Sequence, residues 1–218
     1  MSGLRARKKD RNRQQILEAA MSLFGKRGFR ATTTEQIAAA AEVAAGTLYN
    51  YFGTKGAIVV ALFGDATARL LEAGRAVVAR PGRRPAQAVL QLFQIYLGLV
   101  DAFGRELLGE VFAAMLLDPE ESVEALAGMD QQLIAQVAEL LAVLQARGDV
   151  AAGVTPLNGA LQLYAIFGVQ LLMHMHLPGY DRAALEAGLK SQVALAFSGL
   201  APRETVPERA RKHHRSGR

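Results

Sequence analysis

Residues 33–52, TTEQIAAAAEVAAGTLYNYF, leave this chain few ways to fold. Thr32 with Glu35, and Thr33 with Gln36, both fit the capping box that satisfies free N–H groups at a helix start, so a short helix begins near Thr33. Ile37, Ala38 and Ala41 then recur at the spacing of one helix face, and the alanine run keeps that helix thin enough to pack closely. Val43 falls in a turn as a core plug. Beyond it Leu48 and Phe52, the largest purely apolar side chains there, lie four residues apart and mark the buried face of a second helix.

At about 100° per residue, the opposite face of that second helix carries Gly46, Thr47 and Asn50, with Tyr49 and Tyr51 on its flanks. Such a face suits close contact with a polar polymer. Gly46 admits a backbone, hydroxyls bind phosphate oxygens and the Asn50 amide can address a base edge. Thr54 and Lys55 open the following helix, where free N–H groups and an ammonium would face a phosphate, and Thr34 is a further phosphate candidate.

Charge is distributed to match. Residues 1–55 carry ten Lys/Arg against four Asp/Glu, residues 56–202 nine against fourteen, and residues 203–218 six against two. The electrostatic footprint of a polyanion-binding surface therefore sits at the start, and the middle avoids it. Arg5, Arg7, Lys8, Lys9, Arg11 and Arg13 read equally as a solvated terminus or as a DNA-touching arm that leads into a helix over 11–27. With 51% hydrophobic residues the chain buries a substantial core, and the absence of cysteine excludes disulfides, thiolate metal sites and thiol nucleophiles. The cysteine count fits a reducing cytoplasm, and no apolar segment of secretory type follows the first basic residues.

A long helix from Thr54 to about Arg80 links this head to the remainder. Further helices are expected over 86–102, 104–117, 120–147, 156–177 and 182–199, separated by Pro and Gly breaks. No strand pattern occurs. Residues 150–180 contain no charge, long enough to raise the question of a membrane span, but Asn158, Gln162, Gln170, His174 and His176 interrupt the run and no aromatic belt flanks it. A helix apolar all round fits a subunit interface equally well. The tail 201–218 has too little apolar content to pack and reads as disordered.

No catalytic constellation and no metal or cofactor motif is present. His174 and His176 lie two apart on a helix and diverge by about 200°. A helical-bundle enzyme is therefore disfavoured.

In order and without gaps, Ile16, Ala20, Leu23, Phe24, Gly28, Phe29, Thr33, Thr34, Ile37, Ala38, Ala41, Val43, Gly46, Thr47, Leu48, Tyr49, Tyr51, Phe52 and Lys55 resemble the N-terminal domain of TetR-family transcriptional regulators. The resemblance covers the first quarter of the chain. Two positions depart from it. Glu42 stands where the family has a turn glycine, and Ala44 where it has a capping serine, each worth on the order of 1 kcal/mol.

The resemblance implies an all-α fold: a helix-turn-helix DNA-binding domain over 1–55, and an effector-binding and dimerisation domain over 56–200. The last two helices would form a homodimeric four-helix interface, with Gly168, Ala184 and Gly188 allowing close approach. Some of Phe93, Gln94, Tyr96, Phe112, Met115, Tyr164, Phe167 and Gln170 would line an apolar effector pocket. The expected function is a cytoplasmic repressor that a small apolar effector releases from a palindromic duplex operator, without a cofactor. The alternative is a helical ligand- or protein-binding module that does not bind an operator.

Overall fold

The computed structural model describes residues 2–117 and 119–200, with side chains outside 2–5, 114–127 and 199–200. Nine helices occur among the described residues: α1 (Ser2–Arg27), α2 (Thr34–Ala40), α3 (Ala45–Phe52), α4 (Lys55–Ala79), α5 (Pro85–Tyr96), α6 (Gly98–Leu117), α7 (Pro119–Ala146), α8 (Pro156–His176) and α9 (Arg182–Leu200). Prolines occupy the first turns of α5 and α8, where a missing N–H costs nothing. The tail expected to be disordered lies outside the described residues.

Helix α4 is the hub, packing against α1, α3, α5, α6 and α7, while α7 pairs with α8 and α8 with α9. Its 25 residues span about 37 Å, so one rod links the three-helix head to the far end of the body. Small residues let the rods approach: a Cβ on Gly74 would overlap Gln136 and Leu92, and one on Gly159 would overlap Leu141. Buried side chains form one cluster running from Ile16 to Ala196.

Three boundaries differ from the sequence reading. Helix α1 extends back to Ser2, so the basic arm is helical, and Arg13 within it forms a bidentate pair with Asp65 of α4 at 3.0 and 3.2 Å. The helix expected over 86–102 is broken at Leu97. There Gly98 turns the chain so tightly against α4 that a Cβ would sit 3.2 Å from Leu70. The break expected near 103 is instead a kink inside α6 at Gly104, whose φ of 64° and ψ of 172° only glycine adopts cheaply.

Helix α8 is apolar on two faces. Leu163, Phe167, Leu171 and Met175 are buried, whereas Leu157, Leu161, Val169 and Leu172 are half-exposed and nothing among the described residues covers them. It is the one unbroken helix among the described residues long and apolar enough to cross a membrane. Open space surrounds Gly168, but Gly188 packs inside the subunit, where a Cβ would overlap Gln170 and Tyr180. Gly188 therefore serves the α8–α9 contact rather than an intersubunit one.

Candidate nucleic-acid interface

The cap at α2 comes from Thr33. Its hydroxyl accepts the Gln36 N–H at 3.2 Å, and Gln36 Oε1 accepts the Thr33 N–H at 3.1 Å. The hydroxyl of Thr32 is turned the other way, donating to the Gly28 carbonyl at 2.8 Å. At the far end, Glu42 N–H donates to Ala39 O at 3.2 Å and Val43 N–H to Ala38 O at 3.0 Å, the bond pattern of a Schellman turn. Its left-handed position is held by Glu42 at φ 56°, the only positive φ among the described non-glycine residues. Ala44 caps α3 without any side-chain hydrogen bond.

Leu48 is fully buried and Phe52 packs against the same core, which fixes the roll of α3. Gly46, Tyr49 and Asn50 are consequently exposed, and Thr47 and Tyr51 are half-buried beside them. Tyr49 does not stand alone. Its hydroxyl lies 2.9 Å from that of Thr34 and donates to Glu35 Oε1 at 3.3 Å, joining the start of α2 to α3. The Glu35 N–H, then the Thr33 hydroxyl and then Tyr49, hold the exposed Glu35 carboxyl below its ordinary value.

Lys55 departs from expectation. Its ammonium donates to the carbonyls of Phe29 and Thr32, both at 2.8 Å, and sits 4.2 Å from the centre of the Phe29 ring. Two of three donors are thus spent on the α1–α2 loop, and one remains for an outside acceptor. The Thr54 hydroxyl accepts the Ala57 N–H at 3.0 Å and caps α4. Between the starts of α2 and α4 lies a hollow of about 350 Å³ lined by Arg30, Thr32, Thr33, Thr34, Tyr49, Thr54 and Lys55. Sequence reasoning passed over Arg30, whose only signal is a lone cation just ahead of the threonine run.

In the body, four of the candidate effector residues come together. The Phe167 ring lies 5.1 Å from Phe93, 6.0 Å from Tyr96 and 6.4 Å from Tyr164. Tyr96 donates to Gln136 Oε1 at 2.8 Å, and Gln136 donates onward to Leu71 O at 2.7 Å. Tyr164 donates to Asp130. Burial raises the pKa of both tyrosines, and for Tyr164 the Asp130 carboxylate adds to it, so both stay neutral donors.

Two of the other four candidates bond elsewhere. Gln94 faces outward and donates to Glu186 at 3.2 Å. Gln170 takes the Tyr180 hydroxyl, and Phe112 is half-buried on α6. The Met115 side chain lies outside the described residues.

Residues 16–62 match the family model described as bacterial regulatory proteins, tetR family. The transcriptional regulator TcmR of Streptomyces glaucescens is 36% identical over 99 residues, 45% of this chain and 42% of TcmR. The structure of Thermus thermophilus FadR, a TetR-family transcriptional repressor in complex with lauroyl-CoA, is 28% identical. It superposes with a TM-score of 0.70 over 89% of this chain and 97% of that one.

The head of this chain is a TetR-family N-terminal domain.

The chain's match to TcmR spans less than half of that relative's length. Bacillus subtilis FadR in complex with stearoyl-CoA, 20% identical with a TM-score of 0.65 over 86% of this chain and 98% of its own, shares the fold of head and body alike. These relatives are regulators, not enzymes. Asp130 and Gln136, which complete the aromatic cluster, escaped the sequence reading. They reach it from α7, 34 and 40 residues away from the tyrosines they bind.

Proposed function

We propose that this chain is a cytoplasmic, homodimeric transcription factor that represses by binding a palindromic duplex operator and is released by a small, largely apolar effector. The observation that carries it is the α3 surface: Leu48 anchors the helix from below while Gly46, Tyr49 and Asn50 face solvent above a basic head. Gly46, Thr47, Tyr49, Asn50 and Tyr51 would read or line the groove, and Thr34 with Arg30 would meet phosphates. Lys55 would contribute chiefly by holding the α1–α2 loop, with its remaining N–H turned to a phosphate.

Dimerisation is supported by the uncovered apolar face of α8, which would pair with α9 and with the same helices of a second copy. The same face explains the apolar run of α8 without a membrane. An apolar effector is supported by the Phe93, Tyr96, Tyr164 and Phe167 cluster, and by the lauroyl-CoA bound to the Thermus relative. A module without operator binding was suggested by Glu42 and Ala44. The closed hydrogen bonds of the Glu42 turn weigh against it.

Asn50→Ala tests this reading. Binding to a selected operator should weaken about tenfold to a hundredfold, while binding to unrelated duplex changes little. Equal binding of both proteins to the operator would contradict it.

A further inference from the structure

Helix α6 is fastened along two edges to different parts of the chain. On one edge, Asp101 accepts from Arg182 of α9 at 3.1 Å. One turn later, the Arg105 guanidinium donates to the carbonyls of Tyr180 at 3.0 Å and Leu177 at 3.4 Å. Both carbonyls lie in the turn between α8 and α9, beside the negative end of α8, where a cation is favoured. His174 Nδ1 also meets the Tyr180 carbonyl, at 2.9 Å, so this turn is held from inside the body as well.

The other edge of α6 grips the head. The Glu106 carboxylate lies so close to Gly28 that a Cβ there would come within 3.3 Å of it, and Glu110 accepts from Arg30 at 3.3 Å. Gly28, at φ 80°, and Arg30 belong to the α1–α2 loop whose carbonyls Lys55 also holds. Arg105 and Glu106 are neighbours immediately after the kink at Gly104, and they divide between the two edges.

A planar guanidinium bound to two carbonyls three residues apart fixes orientation as well as distance, which a single point contact does not. The exposed α8 face includes Leu172 and runs down to Leu177, the residue that Arg105 holds. The angle between that face and the head is thus set by two attachments, the α4 rod and the α6 strap.

We infer that Arg105 is a positioning residue that sets the separation of the two recognition helices in the dimer, and with it the half-site spacing the dimer accepts. The inference rests on the operator-binding dimer proposed above. Arg105 is exposed, so its loss should leave folding almost unchanged. What it should remove is the registration of α6 against the α8–α9 turn, leaving the head to rock about α4.

The test uses the full-length protein and a series of duplexes holding the same two selected half-sites, with their separation changed by one or two base pairs, plus a duplex with one half-site. Wild type should lose at least about tenfold in affinity at a wrong spacing, and Arg105→Ala should flatten that difference to below about threefold. The variant should remain dimeric and bind the single half-site as wild type does. Arg105→Lys keeps the charge without the planar fork and should show the same flattening. Glu110→Ala, on the opposite edge, should flatten the profile too, and the double variant should flatten it no further.

A wild-type spacing profile in Arg105→Ala overturns the inference, and so does an equal loss on the single half-site, which would mean local damage to the head. Absence of any spacing preference in wild type would instead refute the dimeric operator reading itself.

Discussion

Helices α3 and α8 both leave much of their surface uncovered, and the uncovered surfaces are opposites. Of the eight residues of α3 only Leu48 is buried, and Ala45, Gly46, Tyr49 and Asn50 face out. Helix α8 buries Leu163, Phe167, Leu171 and Met175, yet presents a second stripe of Leu157, Leu161, Val169 and Leu172 to solvent. A short helix with one anchor cannot hold itself and borrows its stability from α2 and α4. A long helix with two apolar stripes has more than the chain's own core can use, and the excess calls for a partner surface. On the proposed reading, the head meets a polar polymer and the body meets a copy of itself.

Substitution of both Leu161 and Leu172 by Glu should have the largest effect, because it places carboxylates where a second copy would bury them. Sedimentation should show the protein shifting from dimer to monomer with its helical circular dichroism retained, and operator binding should fall more than about a hundredfold as the second recognition helix is lost. An intact dimer would break the contrast between α8 and α3.

Next in size is Lys55→Met. It leaves the Phe29 and Thr32 carbonyls without their donor and should cost about 1–3 kcal/mol, read as a lower denaturant midpoint. A cost near zero, combined with weaker DNA binding, would restore Lys55 to a purely phosphate-binding role. Glu42→Gly should do the reverse, relieving a positive φ and stabilising the protein by about 1 kcal/mol. Ala44→Ser should add a further increment of about 0.5–1 kcal/mol by capping α3, seen as a small rise in the thermal midpoint.

The head was more legible in the sequence than the body because its logic is local. Capping, turn and anchor residues of the helix-turn-helix lie within a few positions of one another, so spacing alone placed α2 and α3. Even there, Thr32 and Thr33 looked equivalent. Only the fold shows that the Thr32 hydroxyl is drawn back to Gly28, leaving Thr33 as the cap. The internal role of Lys55 was hidden for the same reason: its acceptors lie 26 and 23 residues earlier, and no periodicity reveals a contact of that range.

In the body, Phe93 and Tyr96 are three apart and share a helix face, a pattern the sequence carries, whereas Gln94 lies on another face of α5. The polar partners Asp130 and Gln136 come from a helix whose register against α4 and α8 is set by Gly74 and Gly159. Such register is decided by packing between helices rather than along one.

The most direct test is selection of bound sequences from random duplex DNA by the full-length protein at two salt concentrations, with Tyr49→Ala alongside. A palindrome whose half-sites lie about one helical turn apart, roughly 34–36 Å, and which the variant fails to select, is the expected result. Steeply salt-sensitive binding without any recovered sequence would contradict the account, since the basic head would then be acting as charge alone.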